Sequence, residues 1–178
     1  RKQVIGAKTG ITPFFILLML GAVLVGLVNN VGLGQFPPVL NSLHGATQGA
    51  LIISIYSAVG IIGKLILGNI NDRYGAVAST IYASTLLVLT YLVMIFAGNF
   101  ILAIIMAILF GLGNAIGTVS PPLITSAIYS ADDFPKAYGY VQSGVQLGMT
   151  IGSLVAASIA DFTGTYTFSW IFLAIASA

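Results

Sequence analysis

The amino-acid sequence predicts an all-α membrane protein with six transmembrane helices, arranged as two inverted three-helix repeats. Of its 178 residues, 58% are hydrophobic and only 6% are charged, whereas about 25% of the residues of soluble domains are charged. The apolar residues form long stretches that short turns separate, and a short motif recurs three stretches apart. The composition therefore excludes an ordinary water-soluble fold.

The apolar stretches are long enough to be membrane-spanning helices. A bilayer core about 30 Å thick needs roughly 20 apolar residues for each helix. Five stretches meet this length: 11–31, 48–70, 76–97, 100–129 and 137–160. A sixth stretch runs from Thr165 to Ala178 and is shorter than a complete span. Since the chain also begins with Arg1, we expect an internal fragment with a cytoplasmic linker (1–10) and a six-helix bundle (11–178) whose last helix is truncated.

The segments between the apolar stretches are short and rich in turn residues. They contain Pro37 and Pro38 with Asn41, then 71–75, 98–99, 132–135 and 161–164. In a six-helix arrangement these turns alternate between the two sides of the membrane.

The basic residues all fall on one of these two sides. They are Arg1, Lys2, Lys8, Lys64, Arg73 and Lys136. Cytoplasmic loops of membrane proteins carry an excess of Lys and Arg. The sequence therefore predicts a multi-pass protein of the cell membrane whose N-terminal end is cytoplasmic.

The residue types that the sequence lacks exclude several kinds of chemistry. The chain contains no Cys, one His and four acidic residues, which leaves no disulfide, thiolate nucleophile or His-rich metal cluster. A net charge of +2 over 178 residues forms no basic patch for nucleic acid. We expect no cofactor, no metal and no nucleic-acid partner, and membrane lipid as the surroundings of the chain.

A short motif recurs on opposite sides of the predicted membrane. Residues 68–75 read GNINDRYG and residues 157–164 read ASIADFTG, so both follow small-x-x-x-Asp-x-x-Gly three helices apart. Two three-helix units of inverted topology are a common plan in secondary transporters. The alternative is that Asp and Gly recur only because both form turns readily.

The first copy of this motif resembles the cytoplasmic loop motif of the major facilitator superfamily, Gly-x-x-x-Asp-Arg-x-Gly. Gly68, Asp72, Arg73 and Gly75 match it, while the usual basic residues that follow are absent. The fifth stretch and its exit loop resemble the penultimate helix of the C-terminal half of that superfamily. The resemblance implies half of a major facilitator fold, with the other six-helix half of the same protein as partner. It also implies that the motif is a gate, whereas a solvated turn is the alternative.

Lys64 resembles the Arg that contacts the substrate carboxylate in the oxalate/formate antiporter and monocarboxylate transporter branch. The second basic residue that oxalate antiporters carry in the fifth helix is missing, and Gln142 and Gln146 occupy that region. The resemblance therefore implies a small anionic substrate, such as a monocarboxylate, that binds at Lys64. The alternative is a Lys whose long side chain reaches the membrane surface.

Several other polar side chains lie at membrane depth and are candidates for the substrate site. They are Asn30, Asn114, Gln142 and Gln146, and Tyr56 joins them as an aromatic candidate. Interhelical hydrogen bonds are the alternative for the amides, and packing is the alternative for Tyr56. Gly144, Gly148 and Gly152 repeat every four residues, which predicts close approach of another helix. Pro121 and Pro122 predict a kink in the fourth helix.

These observations predict a secondary transporter, not an enzyme, that moves a small solute by alternating access. A permease subunit of an ATP-driven transporter would need a cytoplasmic coupling helix, for which the inner loops are too short. A membrane-embedded enzyme would need Asp or His well inside a span, and none is there. A structural membrane subunit is the remaining alternative.

Overall fold

The computed structural model describes residues 13–178, and within this range the chain is helical and contains no strand. The helices are α1 (Pro13–Met94), α2 (Phe100–Gly113), α3 (Ile116–Ile128), α4 (Phe134–Thr163) and α5 (Thr167–Ser177). Three helical stretches are long and apolar enough to cross a membrane: Pro13–Met94, Phe100–Ile128 and Phe134–Thr163. The predicted all-α membrane class is confirmed, while the predicted linker 1–10 lies outside the described residues.

The long helix α1 is folded back on itself at two glycines. Gly45 and Gly75 have φ angles of 79° and 87° and are not helical, so they divide α1 into segments α1a (13–44), α1b (46–74) and α1c (76–94). The Tyr91 hydroxyl group donates a hydrogen bond to the backbone carbonyl of Val28. An unbent helix would separate these two residues by about 95 Å, at 1.5 Å per residue. Segments α1a and α1c therefore pack side by side.

The turn predicted at Pro37, Pro38 and Asn41 is wrong, because α1a remains helical up to Gly45. Phe36, which is fully buried beside these prolines, makes ring contacts with Tyr91, Phe110 and Trp170 at centroid distances of 4.8–5.8 Å. Phe36 thereby anchors this part of α1a to the neighbouring helices, and membrane helices tolerate prolines when neighbouring groups satisfy the freed backbone.

The other predicted turns are close to their expected positions. The turn at 71–75 is shorter than predicted, since only Gly75 leaves the helical conformation. The turn predicted at 161–164 lies at 164–166, between the end of α4 at Thr163 and the start of α5 at Thr167. The turn at 98–99 is confirmed: the Asn99 side chain caps α2 by accepting hydrogen bonds from the backbone N–H groups of residues 101 and 102 at 2.9 and 3.4 Å. The turn at 132–135 is confirmed as well, and α4 begins at Phe134.

The break in the fourth predicted helix precedes its prolines. Helix α2 ends at Gly113 and α3 begins at Ile116, whereas Pro121 and Pro122 lie inside α3. The kink predicted at the two prolines is therefore displaced by about six residues. A proline ring clashes with the carbonyl four residues earlier, so the distortion falls on the N-terminal side of the pair.

Glycines allow α1a and α4 to pack with their backbones almost in contact. A Cβ atom on Gly148 would overlap the carbonyl oxygen of Val23, and one on Gly26 would overlap the carbonyl oxygen of Val145. A Cβ atom on Gly152 would lie 2.9 Å from the Cα atom of Leu27. The predicted close helix approach at this glycine ridge is confirmed. Similar contacts join Gly63 of α1b to the backbone of α2.

Three of the turns meet at one end of the structure. A cavity of about 490 Å³ lies at this end. It is lined by the end of α1a just before Gly45, by the 95–99 turn and by the turn at Gly164. The His44 ring nitrogen Nε2 lies 2.6 Å from the carbonyl oxygen of Ala97 and joins two of these turns. The sequence places all three turns on the side without basic residues.

The glycine contact predicts a sharp difference between two substitutions in α4. Gly148→Ala forces a Cβ atom into the Val23 carbonyl and is expected to destabilise the protein by about 1–3 kcal/mol, as overpacking does. Thermal unfolding of the full-length protein in detergent measures this change.

Gly139→Ala is the matched control, because a Cβ atom there meets nothing within 4 Å. Gly139→Ala should leave the unfolding temperature close to that of the wild type. Equal unfolding temperatures for the two variants would contradict the close helix contact.

Candidate functional site

One side of α1b exposes polar side chains although the helix is apolar enough to cross a membrane. Ser54, Ser57, Lys64 and Asp72 are exposed, and their spacings of three, seven and eight residues place them on one side of the helix. The Lys64 ammonium group makes no hydrogen bond or ion pair with any residue in 13–178. A charged group in a span is unfavourable in lipid, so the ammonium group either faces water or protein or reaches the membrane surface.

A second exposed polar face lies on α4. Gln142, Ser143, Gln146 and Thr150 line an open depression on this helix. The hydroxyl groups of Ser143 and Thr150 donate to backbone carbonyls of their own helix at 2.9 and 3.0 Å. The two glutamine carboxamides make no hydrogen bond with the described residues, so they are available to another molecule.

Asn30 and Tyr56 have partners inside the bundle. The Asn30 side-chain amide donates to the carbonyl oxygen of Met149 at 3.3 Å and to the Ser153 hydroxyl oxygen at 3.4 Å, which is an interhelical contact between α1a and α4. Tyr56 is buried and packs edge-on against Phe110 at a centroid distance of 5.2 Å. Asn30 therefore makes the interhelical hydrogen bonds, and Tyr56 the packing contact, that the sequence offered as alternatives to substrate binding.

Asn114 lies at the break between α2 and α3, and its side-chain oxygen is buried without a hydrogen-bond partner among the described residues. No hydrogen bond joins Lys64 to Asn30, Asn114 or either of the two glutamines within residues 13–178. The structure therefore distributes the predicted site residues over two open faces, a buried break and the interior of the bundle. Their contact with a substrate remains a prediction.

The predicted gate motif ends α1b. Gly68 has open space around it, and Asp72 and Arg73 are exposed without an ion pair in the described part of the chain. Gly75 and its counterpart in the second motif copy, Gly164, both have positive φ angles, 87° and 72°. Side chains disfavour such angles, so the recurring glycine has a conformational reason in both copies.

Three further polar groups are buried and unpaired in the described part of the structure, and one of them belongs to Asn29, a polar residue that the sequence also places at membrane depth. Asn29 Oδ1, Ser120 Oγ and the Tyr129 hydroxyl group are buried without a hydrogen-bond partner in residues 13–178. His44 ends α1a and is half-buried beside Ala97.

These long apolar helices with polar open faces define a multi-pass membrane protein. The sequence profile of the Major Facilitator Superfamily matches residues 18–178, which is most of the chain. The protein belongs to the major facilitator superfamily, a family of membrane transporters and not of enzymes.

Two curated relatives are efflux or resistance proteins by name. The chain is 25% identical over 160 residues to "Tetracycline resistance protein, class H" of Pasteurella multocida. This alignment covers 85% of this chain and 39% of the relative. The chain is 29% identical over 128 residues to "Multi-drug resistance efflux pump PmrA homolog" of Lactococcus lactis, covering 69% and 32%. The chain thus spans less than two fifths of either relative. No solved structure gives a significant match, and the oxalate/formate branch is not confirmed.

Proposed function

We propose that this chain is one six-helix half of a secondary transporter that moves a small solute by alternating access. The observation that carries the proposal is the pair of open polar faces on α1b and α4. Exposed polar groups on membrane-spanning helices require a water-filled path or a protein partner, and a second half of the same protein supplies both. The names of the two relatives support a transport function.

The six spans are α1a, α1b, α1c, the α2–α3 pair, α4 and α5, as two inverted three-helix units. Each segment of α1 has close to or more than the roughly 20 residues that a span requires. The grouping of three alternate turns around one cavity supports the arrangement. The two motif copies with positive-φ glycines support the inverted repeat, since they follow the second and fifth spans.

The end that carries Arg73 and Lys136 is cytoplasmic in this proposal, because cytoplasmic loops are enriched in basic residues. The end that carries Gly45, Gly164 and the 95–99 turn then faces outward. The protein resides in the cell membrane with the start of this chain on the cytoplasmic side.

Lys64 is the proposed substrate contact, and a small organic anion is the proposed substrate class. Its ammonium group is exposed on the polar side of α1b and has no partner within residues 13–178. Gln142 and Gln146 offer uncharged hydrogen bonds on α4. The names of the relatives favour a second candidate function, export of a larger drug-like molecule. In that case the same open faces form one wall of the binding cavity.

Asp72 and Arg73 are proposed to brace the cytoplasmic helix ends in one of the two transport states. Both are exposed at the end of α1b and have no ion pair in the described range, so their partner belongs to another part of the protein or to another state.

The proposed topology predicts which positions react with an impermeant thiol reagent from each side of the membrane. Single cysteines at Ser42 and Thr165 should label from outside, and those at Tyr74 and Ala131 only from inside. All four positions are exposed, so lack of access has no other structural cause. A reversed pair would contradict the six-span arrangement.

The gate proposal predicts that Asp72→Asn changes the balance of transport states more than substrate affinity, because the residue lies at the rim of the bundle. Labelling of a cysteine at Ala131 measures access from the cytoplasmic side in the full-length protein. Unchanged access together with a collapse of substrate binding would assign Asp72 to the substrate site instead.

The anion proposal predicts graded effects at Lys64. Lys64→Arg keeps the charge with a different geometry and should retain part of the binding. Lys64→Gln should lose more, about 1.5–3 kcal/mol for a hydrogen bond to a charged group. Competition between a carboxylate and its neutral amide for binding to the full-length protein measures both effects.

Lys136→Gln is the matched control, since Lys136 is exposed in the first turn of α4 and away from the polar face. It should leave the affinity for the carboxylate unchanged. Equal affinity of the wild-type protein for the acid and for its amide would eliminate the anion site and favour the drug-like candidate.

A further inference from the structure

Two buried carboxamide oxygens near the break of the fourth predicted helix lack partners. Asn29 is only 5% exposed, and its Oδ1 atom and that of Asn114 are buried without a hydrogen bond among residues 13–178. Buried polar atoms almost always have a protein, water or ion partner. Two unpaired acceptors near one helix break therefore favour a ligand in this region.

The two side chains are brought together at Gly117. A Cβ atom on Gly117 would lie closest to Asn29 Nδ2, with Asn29 Cγ at 2.5 Å and Asn29 Oδ1 at 2.9 Å, so the carboxamide of α1a lies directly over this glycine with its nitrogen nearest. Asn114 precedes Gly117 by three residues, and side chains at this spacing are neighbours on a helical surface. The missing side chain of Gly117 makes room for Asn29 next to Asn114.

The break and the prolines add further oxygen atoms in the same region. Asn114 and Ala115 lie between α2 and α3. Pro121 and Pro122 have no N–H groups, so the carbonyls of Gly117 and Thr118 lose their usual helical donors. In membrane proteins such interrupted helices provide backbone carbonyls that coordinate monovalent cations.

We propose that Asn29 and Asn114 coordinate a monovalent cation, Na⁺, at the break between α2 and α3. The oxygen set contains amides and carbonyls but no carboxylate, since no cluster of acidic residues or His lies in the described part of the chain. Hard oxygen ligands suit alkali and alkaline-earth cations. Neutral ligands at membrane depth favour the ion of lower charge, because desolvating a divalent ion without a counter-charge costs far more.

The site shares Asn114 with the candidates for the substrate site and otherwise differs from them in position and in chemistry. Lys64 and the two glutamines lie on open faces, whereas Asn29 lies inside the bundle between α1a and α3. An ion there would link α1a to the broken helix and fill a place that packing alone leaves unsatisfied. The proposal does not depend on the substrate or on the direction of transport.

Thermal unfolding of the purified full-length protein in detergent tests the site without a transport assay. NaCl is varied against choline chloride at constant ionic strength, because choline is too large for an enclosed site. A ligand that binds only the folded state raises the unfolding temperature with its concentration. The Na⁺-dependent rise should be present in the wild type, and Asn29→Ala and Asn114→Ala should lower the apparent Na⁺ affinity about tenfold or more.

Asn69→Ala is the matched control, since Asn69 is an exposed asparagine of α1b, and it should keep the wild-type Na⁺ dependence. Asn114→Asp keeps an oxygen ligand and adds a charge, so it should bind cations more tightly and respond to Ca²⁺. This variant keeps the test decisive if an alanine variant does not fold. A wild-type unfolding temperature independent of Na⁺ would mean a bridging water only and would overturn the proposal. A Na⁺ dependence that both alanine variants retain would place the ion elsewhere and would also overturn it.

Discussion

The backbone contact between α1a and α4 fixes the positions of the polar groups on these two helices. Apolar side chains give no hydrophobic driving force between helices in lipid, so small residues and interhelical hydrogen bonds determine the association. Glycines at 26 and 148 bring the two backbones together, and at this distance Asn30 reaches the carbonyl of Met149 and the hydroxyl group of Ser153. The same contact turns Gln142 and Gln146 to the open side of α4.

Local sequence patterns predicted those parts of the fold that depend on spacing alone. A four-residue glycine repeat lies on one helix face in any environment, so the ridge of α4 was predictable. The glycine that ends each Asp-x-x-Gly motif was predictable for the same local reason. The end of α1a was not, because contacts of Phe36 with Tyr91, Phe110 and Trp170 anchor the helix beside Pro37 and Pro38.

The candidate site was predictable in composition but not in arrangement. Polar residues at membrane depth are few and easily found, yet adjacent residues on a helix point about 100° apart, and only packing decides which one faces a partner. Asn30 was selected from the sequence, whereas its neighbour Asn29 has the unpaired buried oxygen beside Gly117. Tyr56 is of a residue type that often contacts ligands, but in the structure its ring packs against Phe110.

The polar groups of the two open faces differ in how far they depend on a second molecule. Ser54, Ser57 and Thr150 donate to carbonyls of their own helices at 2.8, 2.8 and 3.0 Å. Their hydrogen bonds are therefore satisfied whether water, solute or protein covers the face. Lys64 and Gln146 have no such internal partner among residues 13–178. The free energy of these side chains therefore depends on whether water, solute or protein contacts them. In a protein that alternates between two states, a solute shifts the balance only by binding one state better than the other. In the proposed transport cycle, the side chains without internal partners are thus the ones expected to couple the solute to the conformation.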